Sequence, residues 1–63
     1  MTQQEQDFKW IKAIIESCTN DFHFEGADRL IELFEARHNN EELTLALLHQ
    51  RIKHWNNIHL ILN

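Results

Sequence analysis

The sequence of 63 residues has no proline and one glycine, Gly26, so few positions can interrupt a helix. Only two short polar segments, 19–21 and 38–40, separate runs in which apolar residues recur every three or four positions. No stretch shows the strong alternation that is typical of a half-buried strand. The sequence therefore predicts an all-α fold, a small three-helix domain with a long C-terminal helix, with helices at about 3–18, 22–38 and 41–62.

The predicted helices have recognisable end signals. Thr2 opens the first helix with the spacing of a capping box. Asn20 and Asp21 are both favourable caps for the second helix, and Asn39 suits a left-handed residue at its end. Asn40 is the expected cap of the third helix, because asparagine side chains accept hydrogen bonds from the first turn.

Apolar residues at helical spacing predict the core. In the third helix, Leu45, Leu48 and Ile52 follow a heptad-like spacing that we expect to face the other helices. A second stripe, Leu47 and Ile58, is expected to lie beside that face. The full predicted core is Phe8, Ile11, Ile15, Cys18, Ala27, Leu30, Ile31, Phe34, Leu45, Leu48, Ile52 and Trp55.

The length of the chain allows one domain with a small core, since short chains bury a smaller share of their surface. Cys18 is the only cysteine, so no intramolecular disulfide can form, and a lone thiol fits a reducing cytoplasm. The N-terminal residues lack the basic and apolar regions of a secretory signal. No apolar run approaches the roughly 18 residues of a membrane span. We expect a soluble cytoplasmic protein without membrane contact.

Acidic residues outnumber basic ones, and the formal net charge is −4. No cluster of Lys or Arg could follow a phosphate backbone, which disfavours nucleic acid as a partner. Glu25, Asp28, Glu32 and Glu35 form an acidic stripe that we interpret as a solvated helix face, with Arg29 placed to pair with Glu25 and Glu32. The alternative is that the stripe docks a basic partner.

No residue pattern indicates catalysis or a bound cofactor. His49, His54 and His59 are spaced five apart and do not share a helix face, and no histidine pair has metal-ligand spacing. Cys18 lies on the apolar stripe of the first helix, which favours a core role over a nucleophilic one. We predict no enzyme activity, no metal, no cofactor and no small-molecule substrate.

Three segments carry a family resemblance: Trp10-Ile11, Ile15-Glu16-Ser17-Cys18, and the run from Ala27 to Phe34. Across about residues 8–35 the chain resembles short uncharacterised helical proteins of Bacteroidetes and their mobile elements. The resemblance implies an intracellular bacterial or phage setting. It implies no activity, cofactor or site residue.

The apolar residues exceed what one small core can hide, and this surplus predicts function through association. We expect a non-enzymatic interaction or regulatory module, as a homodimer or with another protein. The predicted interface is Trp10, Leu33, Leu47, Ile58 and Ile61. The alternative function is a small acidic inhibitor of a basic or nucleic-acid-binding protein. For the tail, 58–63, either a continuing helix or an extended segment after Asn56 and Asn57 is consistent with the sequence.

Overall fold

The computed structural model of the protein describes the backbone of residues 2–62 and the side chains of residues 2–59. It contains three helices, α1 (Gln3–Ser17), α2 (Asp21–His38) and α3 (Glu41–Leu62). Between residues 2 and 62 there is no strand, so the predicted all-α, three-helix class is confirmed. Helix α3 continues through Asn56 and Asn57, and the extended alternative for the tail is therefore wrong as far as Leu62.

Local side-chain chemistry sets the ends of the helices. Thr2 accepts a hydrogen bond through Oγ1 from the backbone N–H three residues on, at 3.1 Å. Asn20 and Asn40 do the same through Oδ1 for α2 and α3, at 3.0 and 3.1 Å. Asn39 ends α2 in the left-handed conformation, with φ 47° and ψ 45°. The predicted caps are confirmed, and Asn20 rather than Asp21 caps α2.

Each helix packs against the other two around one core. The core draws residues from all three helices and from the end of α1. Its buried members are Ile11, Ile15, Cys18, Phe24, Ala27, Ile31, Phe34 and Leu47. Partly buried apolar residues packed against it are Phe8, Leu30, Leu43, Trp55 and Ile58.

The predicted inward face of α3 is wrong. Leu47 is fully buried at 0% exposure, whereas Leu45 and Ile52 are 55% and 54% exposed. Leu48, also assigned to the core, is 37% exposed. The side of α3 that carries Leu47 and Ile58 faces α1 and α2 instead, so the helix is rotated relative to the prediction.

Polar contacts explain this orientation of α3. Arg51 binds Asp28 of α2 with both its Nε and Nη2 groups, at 2.9 and 3.2 Å. The Arg51 guanidinium also lies 5.1 Å from the centre of the Phe24 ring. His54 donates from Nε2 to the carbonyl oxygen of Cys18, at 2.9 Å, and so provides a hydrogen-bond partner for the residue that caps the C-terminal end of α1. Arg51 and His54 lie on the same side of α3 as Leu47 and Ile58. Their hydrogen bonds therefore form only when this side of α3 faces the other helices.

Phe24 is absent from the predicted core, but only 1% of its surface is exposed. Its ring lies against both Arg51 and His54.

No helix in the described part of the chain is long and apolar enough to cross a membrane.

Candidate functional site

A continuous apolar strip runs along the outer side of the first two helices. We call it the α1/α2 face, and define it by Trp10, Ile14, Phe22, Leu30 and Leu33. Trp10 is 57% exposed, Leu33 64% and Phe22 80%. Trp10 and Leu33 line a groove of about 460 Å³, and Ile14 and Phe22 line a second of about 340 Å³. Leu30 lines both grooves, so the two form one surface.

Helical spacing brings these side chains together. Trp10 and Ile14 are four residues apart on the side of α1 that borders α2. Phe22, Leu30 and Leu33 recur at intervals of eight and three on the adjoining side of α2. Between them lies Gly26, where an added Cβ would meet no atom within 4 Å. The face therefore has an open notch between large apolar side chains.

An ion-pair network lies at one end of the α1/α2 face. Asp7 Oδ2 accepts hydrogen bonds from Arg37 Nη1 at 3.2 Å and from His38 Nε2 at 2.8 Å. The hydrogen bond from His38, helped by those from Gln3 and Arg37, lowers the pKa of Asp7 below its ordinary value. The Asp7 carboxylate is thus ionised, and the Arg37 guanidinium offsets its negative charge at this end of the face.

A second surface, the α2/α3 groove, has a volume of about 620 Å³ and two chemically different walls. Glu32 and Glu35 stand on the α2 wall, and Leu48 and Ile52 stand on the α3 wall. Buried Ile31 contributes to its floor. Leu45 continues the exposed apolar stripe along α3. The groove therefore combines an apolar track with an acidic edge.

The acidic stripe is less neutralised than the sequence indicated. Among the described residues, the ion pair within 4 Å that involves this stripe joins Asp28 to Arg51. Arg29 makes no such contact with Glu25 or Glu32, so the predicted pairing is wrong. The residue that serves as a partner is Arg51, which comes from another helix and could not be identified from helical spacing within α2.

The structure separates the residues of the predicted interface. Trp10 and Leu33 lie together on the α1/α2 face. Leu47 is fully buried, so its assignment to an exposed interface is wrong. Ile58 is half-buried and packs against the core, which corrects its assignment to a free surface stripe. The side chain of Ile61 lies outside the described residues. Whether any of these residues binds a partner stays a prediction.

Sequence reasoning missed Phe22 as a surface residue of interest. The sequence contained a signal for this role, because Phe22 and Leu33 lie on the same side of α2, close to Gly26. It also missed the exposed stripe of Leu45, Leu48 and Ile52, which was assigned to the core.

The polar groups of the core are engaged in structural hydrogen bonds. The buried Cys18 thiol donates to the carbonyl oxygen of Ile14 at 3.2 Å, and burial raises the pKa of this thiol. A protonated, buried thiol is a weak nucleophile. Among the described residues, no group of three or more His, Cys, Asp or Glu side chains is placed to hold a metal ion.

No family model matches the chain, and no curated protein sequence or solved structure matches it significantly. The resemblance to short Bacteroidetes proteins therefore stays a prediction.

Proposed function

We propose that this protein is a non-enzymatic interaction module that forms a homodimer through the α1/α2 face. The observation that carries the proposal is the exposure of Trp10, Phe22 and Leu33, all more than half exposed on one continuous surface. Soluble monomers rarely leave contiguous apolar patches of this kind open, and aromatic residues are enriched at interfaces.

The charges around the face favour a second copy as its occupant. The chain carries a net charge of −4, so two copies repel unless they meet where acidic charge is low. At the α1/α2 face, the negative charge of Asp7 is offset by Arg37. In a two-fold dimer the same patch serves both copies, and the notch at Gly26 offers space for a large side chain of the other copy.

Association also suits the size of the chain and the arrangement of its helices. A chain of 63 residues has a small core, and dimerisation stabilises the folded chain by an amount that grows with protein concentration relative to the dissociation constant. Helix α3 has 22 residues against 15 and 18 for α1 and α2. This long C-terminal helix packs against α1 and α2 on the side opposite the α1/α2 face and leaves that face uncovered. We place the module in the bacterial cytoplasm, in keeping with its single buried thiol.

Sedimentation equilibrium over about 1 μM to about 1 mM tests the proposal, because this range covers weak and moderate dimers. We expect the wild-type mass to reach twice 7.6 kDa. Leu33→Glu should be monomeric while keeping its helical circular dichroism. The matched control is Leu45→Glu, which places the same charge at a similarly exposed leucine of α3 and should leave the dimer intact.

A monomeric wild type over the whole range would overturn the proposal. Loss of the dimer in Leu45→Glu, with Leu33→Glu unaffected, would place the contact on α3 instead.

A second candidate function, inhibition of a basic or nucleic-acid-binding protein, is favoured by the acidic edge of the α2/α3 groove. It uses a different surface from the proposed dimer, so both could operate in one molecule.

A further inference from the structure

The α2/α3 groove has the dimensions and the pattern of a helix-binding site. Between Thr44 and Ile52 its α3 wall spans about 12 Å at 1.5 Å per residue, which is about two helical turns. Leu45, Leu48 and Ile52 present apolar side chains along that length at intervals of three and four. An amphipathic helix binds such a track with residues spaced by three, four and seven.

The charges that face the groove leave its edge acidic. Arg51, the basic residue that lines it, is engaged with Asp28 through two hydrogen bonds. The Thr44 hydroxyl donates to Glu35, which holds that carboxylate beside the groove. Among the described residues no cation lies within 4 Å of Glu32 or Glu35. Two carboxylates therefore stand next to exposed apolar side chains without a matching cation.

We propose that the α2/α3 groove docks a cationic amphipathic helix of a partner protein. Apolar side chains of that helix pack on Leu48 and Ile52, and its Lys or Arg side chains meet Glu32 and Glu35.

A second copy of this chain fits the groove less well, because its own apolar α3 track adjoins the same acidic edge and like charges would meet. Nucleic acid is repelled by the carboxylates. A cationic amphipathic helix matches both the apolar wall and the acidic wall of the groove. This inference is independent of the proposed homodimer, which uses the α1/α2 face.

The test uses the full chain and synthetic peptides in isothermal titration calorimetry. The probe is a peptide with a leucine stripe at helical spacing and lysine on both flanks. Two comparison peptides replace either every lysine by glutamate or every stripe leucine by glutamine. We expect only the first peptide to bind, with an affinity that falls as salt is added.

Protein variants locate the site. Glu32→Gln with Glu35→Gln should weaken binding about tenfold at low salt, as expected for the loss of one exposed and one partly buried ion pair. The matched control is Glu5→Gln with Glu16→Gln, which changes the net charge equally at exposed positions of α1. Ile52→Gln should abolish binding, and Leu33→Gln should not.

Three results would overturn the inference. The first is failure of the lysine peptide to bind, or equal binding of the glutamate peptide. The second is an equal loss in the Glu5 and Glu16 control, which would indicate long-range attraction without a site. The third is unchanged binding to Ile52→Gln. If Ile52→Gln also makes a dimeric protein monomeric, the occupant is a second copy. Whether Leu33→Glu loses the dimer tests the proposed homodimer and has no bearing on the groove.

Discussion

Replacing Leu47 and Leu45 by alanine, one at a time, tests the packing of α3. Leu47 is fully buried and Leu45 is 55% exposed, so the same chemical change meets two opposite environments two residues apart. Truncating a buried leucine removes three carbons, worth about 2.5 kcal/mol at about 0.8 kcal/mol each. The cavity left behind raises the cost, so we expect Leu47→Ala to lose about 3–4 kcal/mol of the free energy of unfolding. Leu45→Ala should change it by less than about 0.5 kcal/mol.

Urea unfolding followed by far-ultraviolet circular dichroism measures both losses. All samples need the same protein concentration, because association and unfolding are linked. If Leu47→Ala is unfolded without urea, Leu47→Met provides a milder change that should cost less than about 1.5 kcal/mol. The heptad-like spacing in the sequence predicts the opposite order. A larger loss for Leu45→Ala than for Leu47→Ala would therefore refute the observed orientation of α3.

Three further experiments test the contacts of Asp7, the backbone conformation of Asn39 and the burial of Cys18. The pKa of Asp7 is lower in the folded chain than its ordinary value of 3.8, so its contribution to stability is present above that value and is lost as the pH falls through the folded pKa. Urea midpoints should therefore decline less steeply below about pH 4 in Asp7→Asn than in the wild type, and identical profiles would contradict the network. At Asn39, Ala should destabilise by about 1 kcal/mol relative to Gly, because the backbone is left-handed; equal melting temperatures would argue against this conformation. The Cys18 thiol should react slowly with Ellman's reagent in the native protein and fully in urea, whereas rapid native reaction would show that the thiol is not buried.

Features that depend on neighbouring residues could be predicted from the sequence. Thr2, Asn20 and Asn39 cap helices through groups that lie within a few residues, so the helix ends followed from local pattern. The inward residues Ile11 and Ile31 were predicted because α1 and α2 each carry one dominant apolar stripe near the core.

The orientation of α3 could not be predicted in the same way. Apolar residues occur on more than one side of this helix, so spacing alone does not select the buried side. The selection comes from contacts between helices, namely Arg51 with Asp28 and His54 with the Cys18 carbonyl. The prediction of the interface was partly wrong for the same reason. Trp10 and Leu33 belong to helices whose orientation was predicted correctly, whereas Leu47 belongs to the helix whose orientation was not.

The dilution dependence of the amide NMR spectrum tests the proposed homodimer most directly, because it reports both association and its location. Spectra of ¹⁵N-labelled protein at about 1 mM and about 20 μM span the expected range of dissociation. We predict shifts in the Trp10 indole and in the amides of Phe22 and Leu33, with those of Leu45 and Ile52 unchanged. Shifts confined to Leu45 and Ile52, or identical spectra at both concentrations from a protein that tumbles as a 7.6 kDa monomer, would contradict association through the α1/α2 face.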